Sequence, residues 1–188
     1  MSLKKLYVVL FAAVFVLVSQ SVYAEKKGNI AVVNLKIIEN SLAHKDFSDK
    51  YKAKEKEYRD EILKLSEALK AKQEENNTLK SKITAEAYEK KNAELRKEEK
   101  DAQRFAMEKQ YVMEKAKTIF FRQIEKETRA VVQDISKEKG YNIVVPKEQT
   151  LFSSDAIDIS NEVLERLDKN FPKVDIDIES LAEKPKQS

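Results

Sequence analysis

The chain has 188 residues, of which 37% are Asp, Glu, Lys or Arg, and it contains no cysteine, one histidine and two glycines. This composition excludes a disulfide framework, a cysteine nucleophile and a multi-histidine metal site. Two glycines cannot build a glycine-rich phosphate loop. The 36 basic and 33 acidic residues give a net charge of +3, which is too balanced for a nucleic-acid-binding protein. We therefore expect no enzyme activity, no use of ATP and no cofactor.

The N-terminus has the pattern of a bacterial export signal. Lys4 and Lys5 precede an apolar run over 6–18, and Val22-Tyr23-Ala24 supplies a small-residue cleavage site. The run is shorter than the roughly 20 apolar residues usual for a membrane span. We therefore predict that residues 1–24 are a cleaved signal peptide rather than an uncleaved anchor, and that the mature chain is exported to the periplasm.

Residues 45–139 contain no glycine, proline or cysteine, and they have the pattern of charged helix with a thin apolar stripe. The stripe recurs at steps that sum threes and fours, first at Tyr51, Tyr58, Ile62, Leu65, Leu69, Leu79 and Ile83, and then at Leu95, Ala102, Ala106, Met113, Ala116, Phe120, Ile124, Val131 and Ile135. A period near 3.5 indicates a seam for one partner helix. One unbroken helix would be roughly 140 Å long, so we predict an antiparallel coiled-coil hairpin that starts within 45–48.

The turn of this hairpin is predicted at residues 81–84. Thr84 is a good N-cap, and Glu86 then lies in the first turn, where a carboxylate complements the helix dipole. Asn76-Asn77-Thr78 is the competing turn site, because asparagine tolerates left-handed backbone geometry. We prefer 81–84 because Leu79 and Ile83 continue the stripe past the asparagines.

The segments that flank the hairpin predict a small sheet. Residues 29–35 and 141–145 are β-branched runs typical of buried strands, and Gly140 marks the end of the second long helix. Leu151-Phe152 and 156–159 are weaker strand candidates, and Ser160 is predicted to cap a helix over 161–169. The remaining residues, 171–188, have the composition of a loose tail.

These elements define an α+β protein in which the helical hairpin is inserted between the strands of a small β-body, formed by 25–44 and 140–170. A body of this size is marginal on its own core, and it exposes strand edges. We therefore expect an oligomer. Basic residues are in excess in the hairpin and acidic residues in the C-terminal part, and opposite charges of this kind can steer oligomer contacts or a partner.

Two groups of side chains on the hairpin are candidate binding residues. The aromatic candidates for contact with non-native chains are Tyr51, Tyr58, Phe105, Tyr111, Phe120 and Phe121. The basic candidates, near the tip, are Lys80, Lys82, Lys90 and Lys91, and they could meet anionic head groups or acidic cargo. The alternatives are that the aromatics serve only the coiled coil and that the lysines serve solubility. The single histidine, His44, is expected to be a cap or surface residue.

The order of these pieces resembles the Skp/OmpH family of periplasmic chaperones. The resemblance rests on Asn29-Ile-Ala-Val-Val-Asn-Leu35, the glycine-free hairpin, Tyr141-Asn-Ile-Val-Val145, and Leu151-Phe-Ser-Ser-Asp-Ala-Ile-Asp-Ile-Ser160 running into Asn161-Glu-Val-Leu-Glu-Arg-Leu167. It implies a homotrimer whose helical tentacles hold unfolded outer-membrane proteins in a cavity without ATP. The faces between Tyr51 and Phe121 would line that cavity.

The resemblance also implies that four residues lie in the body's sheet and in the trimer core, namely Ile30, Val32, Ile143 and Val145. Two features depart from the family: this chain is nearly neutral once the signal is removed, and it extends past Lys169. The alternative function is an exported coiled-coil structural or adaptor protein of the cell envelope. A third reading is a protein that binds an anionic membrane surface through the basic tip.

Overall fold

A computed structural model describes residues 29–182. The predicted signal peptide and the last residues of the predicted tail, 183–188, lie outside the described residues. The elements in chain order are β1 (Ile30–Val33), α1 (Leu42–Leu79), α2 (Ala85–Lys139), β2 (Ile143–Pro146) and α3 (Ser160–Asn170). Short 3-10 helices lie at Leu35–Asn40, Lys147–Gln149, Asp155–Ile157 and Glu179–Ala182. The predicted fold class, a long helical hairpin inserted between the strands of a small sheet, is confirmed.

The sheet has two parallel strands, and the hairpin is the crossover that joins them. Its register runs from Ile30 beside Ile143 to Val33 beside Pro146. Ala31 and Val33 point to the covered face, because side chains alternate along a strand. They pack in a cluster that we call the body cluster, which contains Ala31, Val33, Val131, Ile135, Ile159 and Val163. The sheet is therefore covered by the C-terminal part of α2 and by α3.

The long helices begin and end at local capping signals. Helix α1 begins at Leu42, earlier than the predicted 45–48, because the Ser41 side chain accepts a hydrogen bond from the His44 N–H at 3.2 Å. Thr84 caps α2 by accepting from the Ala87 N–H at 3.3 Å, and residues 80–84 form the turn. The competing Asn76-Asn77-Thr78 segment lies inside α1, and Asn76 is buried. Gly140 ends α2 at φ 72°, in the left-handed region that favours glycine.

The base of the hairpin is held by a second apolar cluster, here called the root cluster. The rings of Phe47 on α1 and Phe120 on α2 are stacked, with centroids 4.1 Å apart and planes inclined by 2°. The members of the root cluster are Ala43, Phe47, Tyr58, Val112, Met113, Ala116, Phe120, Ile124, Leu167, Val174 and Ile178. Leu167 comes from α3, and Val174 and Ile178 come from the segment after it, so four parts of the chain meet here.

Three predictions for the region after the hairpin are wrong. Leu151 and Phe152 are not a strand but a fully exposed loop. Residues 156 and 157 belong to a 3-10 turn, and within 156–159 only Asp158 pairs, in a single parallel bridge to Val32. The Ser160 side chain does not cap α3. Its hydroxyl accepts from the Asn34 N–H at 2.8 Å and also contacts Asp158, so a tertiary partner takes the oxygen that would have served the helix.

The prediction of a loose tail is wrong for residues 171–182. Val174 and Ile178 are buried in the root cluster, and the helical turn Glu179–Ala182 packs on α2. The acidic residues between the aliphatic ones had suggested disorder. Because they alternate, all the apolar side chains can face the hairpin while the carboxylates face solvent.

We expect Phe120→Ala to lower the free energy of unfolding by about 3–5 kcal/mol, because it removes a fully buried ring and leaves a cavity under Phe47. The matched control is Phe121→Ala, at the next residue, whose side chain is 58% exposed. Its effect should be within about 0.5 kcal/mol. Urea unfolding followed by circular dichroism measures both. Equal losses in the two variants would contradict this account of the root cluster.

Candidate functional site

Two contiguous grooves follow the seam of the hairpin. The first, of about 410 Å³, lies beside the root cluster and is lined by Tyr51, Glu55, Tyr58, Arg59 and Ile62 from α1 and by Ala106, Lys109, Gln110, Met113, Glu114 and Lys117 from α2. The second, of about 560 Å³, shares Ile62 and Ala106 with the first and continues along Leu65, Leu69 and Ala102. Because the stripe is only one or two residues wide, the helices touch along a line and leave these grooves open at the surface.

Lysine side chains cover two aromatic rings that line the first groove, Tyr51 and Tyr58, and a third, Phe105, that does not line it. The Lys109 ammonium lies 4.2 Å from the Tyr58 ring centroid and 4.9 Å from that of Phe105, and the Lys117 ammonium lies 5.0 Å from that of Tyr51. A hydrogen bond between Lys117 and the Tyr51 hydroxyl raises the pKa of the lysine, and its bond to Glu114 adds to this effect. The long lysine stems can swing away, so the groove can present either charge or aromatic surface.

The six aromatic candidates divide by burial. Phe120 and Tyr58 are buried within the chain itself, so they are corrected from binding residues to packing residues. Tyr51 and Phe105 are half-buried. Tyr111 is 60% exposed and Phe121 is 58% exposed. In the single chain, therefore, only Tyr111 and Phe121 of these six have most of their side chain exposed and open to a binding partner.

Sequence reasoning missed two exposed apolar residues on the hairpin. Met107 is 71% exposed and Leu63 is 55% exposed. Both lie off the apolar stripe, next to the stripe positions Ala106 and Ile62. They could have been found as apolar residues that lie outside the seam of an otherwise charged helix. Phe121, next to the stripe residue Phe120, shows the same pattern.

The basic tip spans the turn and the first turns of α2. Lys80, Lys82 and Lys90 are exposed, whereas Lys91 is half-buried and its ammonium lies 3.8 Å from the Glu75 carboxylate. An ion pair of this kind on a solvated surface contributes little stability. The tip therefore presents three exposed lysines at the end farthest from the sheet.

The sheet presents a different apolar surface. Ile30 and Ile143 are neighbours in the register and are 46% and 55% exposed. Of the other two predicted oligomer residues, Val145 is half-buried and Val32 is already buried within the chain. Among residues 29–182, β2 pairs only with β1, so its outer edge has backbone groups without strand partners. Contact of any of these residues with a second subunit stays a prediction.

One ion pair, between Lys147 and Asp158, closes the loop after β2, and the backbone of Asp158 bridges to Val32 of β1. The Asp158 carboxylate accepts from the Lys147 ammonium and from the backbone N–H of Ser160, at 2.9 Å in the latter case. Burial opposes ionisation of Asp158, but the hydrogen bonds from Lys147 and Ser160 outweigh it and lower the pKa of the carboxyl to about 2. The loop is thus held most firmly when Asp158 is ionised.

No metal centre is found within residues 29–182. These residues contain no group of three or more His, Asp or Glu side chains that could hold a metal ion. His44 packs its ring 5.7 Å from that of Phe120, in keeping with a role at the start of α1. Among the described helices, none combines the length and the apolar character needed to cross a membrane.

Together, the fold and these surfaces define a class of protein: a helical hairpin with open seams, mounted on a small parallel sheet with an apolar, unpaired edge. The chain belongs to the family of OmpH-like outer membrane proteins, whose sequence profile matches residues 29–167. A solved structure described as an OmpH-like outer membrane chaperone from Caulobacter crescentus is similar, with a TM-score of 0.74 and 18% sequence identity. The similarity covers 79% of this chain and 89% of that chain. No curated protein sequence matches the chain.

We expect Asp158→Asn to destabilise the protein in a pH-dependent way. The folded-state pKa of Asp158 lies below the usual 3.8, so its contribution is fully present above pH 4 and is lost as the pH falls towards 2. Urea unfolding should show a loss of about 2 kcal/mol at pH 7 and about half that at pH 3. The control is the exposed Asp155→Asn, which should change little. A loss that is constant with pH would exclude the ionised carboxylate as its cause.

Proposed function

We propose that this protein is an ATP-independent holdase chaperone of the periplasm, which binds unfolded outer-membrane proteins and prevents their aggregation. The observation that carries the proposal is the set of large apolar side chains left exposed on a charged hairpin. These residues are Leu63, Met107, Tyr111 and Phe121, each more than half exposed. A protein that held one folded partner would gather such residues into one large patch. Here they lie on both helices among charged residues, and only Met107 and Tyr111, one helical turn apart, are sequence neighbours on one face, an arrangement that suits many weak contacts with a mobile chain.

The charged residues between these contacts have a part in the same function. They keep the hairpin soluble when no unfolded protein is bound. They also limit each apolar contact to one or two side chains, so a bound chain stays mobile and can be released without ATP. The lysines over the groove aromatics add sites that adapt to apolar or acidic segments.

We further propose that three subunits associate through the sheet. Ile30 and Ile143 form an exposed apolar pair beside the unpaired edge of β2, which supports contact with another subunit at this place. Three hairpins mounted on a common body would enclose a cavity. The family to which the chain belongs and the export signal of its sequence support a periplasmic location.

The holdase proposal predicts that the protein keeps a urea-unfolded β-barrel protein soluble on dilution without nucleotide. Met107→Ser with Tyr111→Ser should weaken capture by about 10- to 30-fold, since each lost apolar contact is worth about 1 kcal/mol. Light scattering of the diluted mixture and titration of a labelled client measure this. Glu108→Ser with Lys100→Ser is the control, because both residues are exposed and the net charge is unchanged.

The result for the unsubstituted protein decides between the proposed function and its alternative. A client that aggregates equally with and without the protein would exclude the holdase and favour an adaptor. Capture that depends on anionic vesicles would instead indicate a membrane-surface role for the lysines of the tip.

The oligomer proposal has its own test. Ile143→Asp should convert the protein to a monomer, because it places a charge at the proposed contact between subunits. Leu63→Asp is a closely matched control, since both side chains are 55% exposed in the single chain. Mass from light scattering should fall to that of one subunit in the first variant only. An unchanged mass for Ile143→Asp would place the subunit contact elsewhere.

A further inference from the structure

The segment after α3, residues 171–182, lies along the base of the hairpin, and we call it the strap. Its central part, Val174-Asp175-Ile176-Asp177-Ile178, alternates strictly. Val174 and Ile178 are buried in the root cluster and Ile176 packs against that cluster, whereas Asp175 and Asp177 are exposed. The hairpin base therefore receives every second side chain of a short, non-helical segment.

The hairpin also holds the strap through its backbone. The Lys50 ammonium donates to the Val174 carbonyl at 3.2 Å, and the Asp46 carboxylate accepts from the Val174 N–H at 3.2 Å. The Lys115 ammonium donates to the Leu181 carbonyl at 3.4 Å. Every residue except proline offers these same backbone groups, so the contacts do not depend on which side chains the bound segment carries.

Charge adds to the attachment at one end of the strap. The Lys54 ammonium bonds to the carboxylate of Glu179, and it also pairs with Glu57 on its own helix. The hydrogen bond that Lys54 donates to Glu179 is the main cause of the raised pKa of Lys54. The place occupied by the strap adjoins the first groove, because Tyr58 belongs both to the wall of that groove and to the root cluster.

We propose that the strap occupies a binding site for unfolded chains, and that a client segment with alternating apolar and polar residues displaces it. This inference rests on the proposed function and names the pattern that the site accepts. Strands of outer-membrane β-barrels alternate between lipid-facing apolar and interior polar residues. An extended segment of that kind can repeat what the strap does: alternate side chains in the root cluster, and backbone groups on Lys50 and Asp46.

Displacement requires the strap to be weakly held. A tethered segment competes at an effective concentration in the millimolar range, so a weak intramolecular contact keeps the site mostly closed. A strap docked about nine-tenths of the time lowers the apparent client affinity about tenfold. The closed site also hides Val174, Ile178 and the aromatic rings beneath them from other chaperone molecules.

The first test opens the strap by substitution. Val174→Ser with Ile178→Ser removes the buried side chains and should raise the affinity for an unfolded β-barrel protein about tenfold. The control places the same residue at the exposed position between them, Asp175→Ser, and should change the affinity by less than about twofold. Circular dichroism confirms that both variants are folded. Unchanged or weakened capture in the first variant would overturn the proposal.

The second test closes the strap in the full chain and does not depend on the stability of the opened variant. The protein has no cysteine, so Lys54→Cys with Glu179→Cys can be joined selectively by a short, reducible thiol-reactive linker. The linked protein should bind the client at least about tenfold more weakly than the same sample after reduction. Equal affinities before and after reduction would overturn the proposal, since client binding would then not require the strap to leave its site.

A peptide separates failure of this inference from failure of the proposed function. A labelled peptide of residues 171–182 should bind the Val174→Ser/Ile178→Ser protein, and the same peptide with Asp at the two apolar positions should not. If the peptide binds although no client is captured, the site exists and the holdase function is excluded. If clients are captured but the peptide does not bind and the linker has no effect, the holdase stands and the strap site is excluded.

Discussion

The stacked rings of Phe47 and Phe120 fix the place where the hairpin becomes part of the body. The 38 residues of α1 and the 55 residues of α2 cannot pair along their whole lengths, so one helix must continue alone. The stack lies close to the start of α1, and α2 runs on past it to cover the sheet. Leu167 and Val174 pack in the same cluster, so both the C-terminal helix and the strap depend on these two rings for their position.

Helix α3 couples the two ends of the hairpin to each other. Its Val163 packs in the body cluster and its Leu167, one turn later, packs in the root cluster. Asp168 accepts from the Leu42 N–H at 2.7 Å at the start of α1, and Arg166 bonds to Glu138 near the end of α2. The hairpin is thus fixed at its base, while beyond the grooves, among residues 29–182, the two helices pack mainly on each other. Motion is expected to increase towards the tip.

Local signals predicted the parts of the fold that depend on local chemistry. The stripe, the Thr84 cap and the left-handed Gly140 need no knowledge of distant residues, and each lies where the sequence indicated. Errors arose where a residue distant in sequence determines the local structure. Ser160, for example, accepts a hydrogen bond from the backbone of Asn34 instead of capping its own helix. Phe120 followed the stripe, but its complete burial depends on α1 and on the segments that pack beside it. The surface residues Met107 and Leu63 escaped notice because periodicity identifies the apolar residues of a seam. It does not identify apolar residues that lie outside the seam.

The opposite charges of the hairpin and the C-terminal part meet at the root. Lys54 pairs with Glu179, and Lys50 contacts both Asp46 and the backbone of the strap. Part of the basic excess of the hairpin is therefore neutralised by its own chain at the place where the grooves begin. The exposed lysines of the tip have no such segment beside them within residues 29–182. A chain that approached the hairpin from its tip would meet positive charge first and then the exposed side chains of Leu63, Met107 and Tyr111. It would reach the root last, where Lys50 and Lys54 are already engaged by the strap.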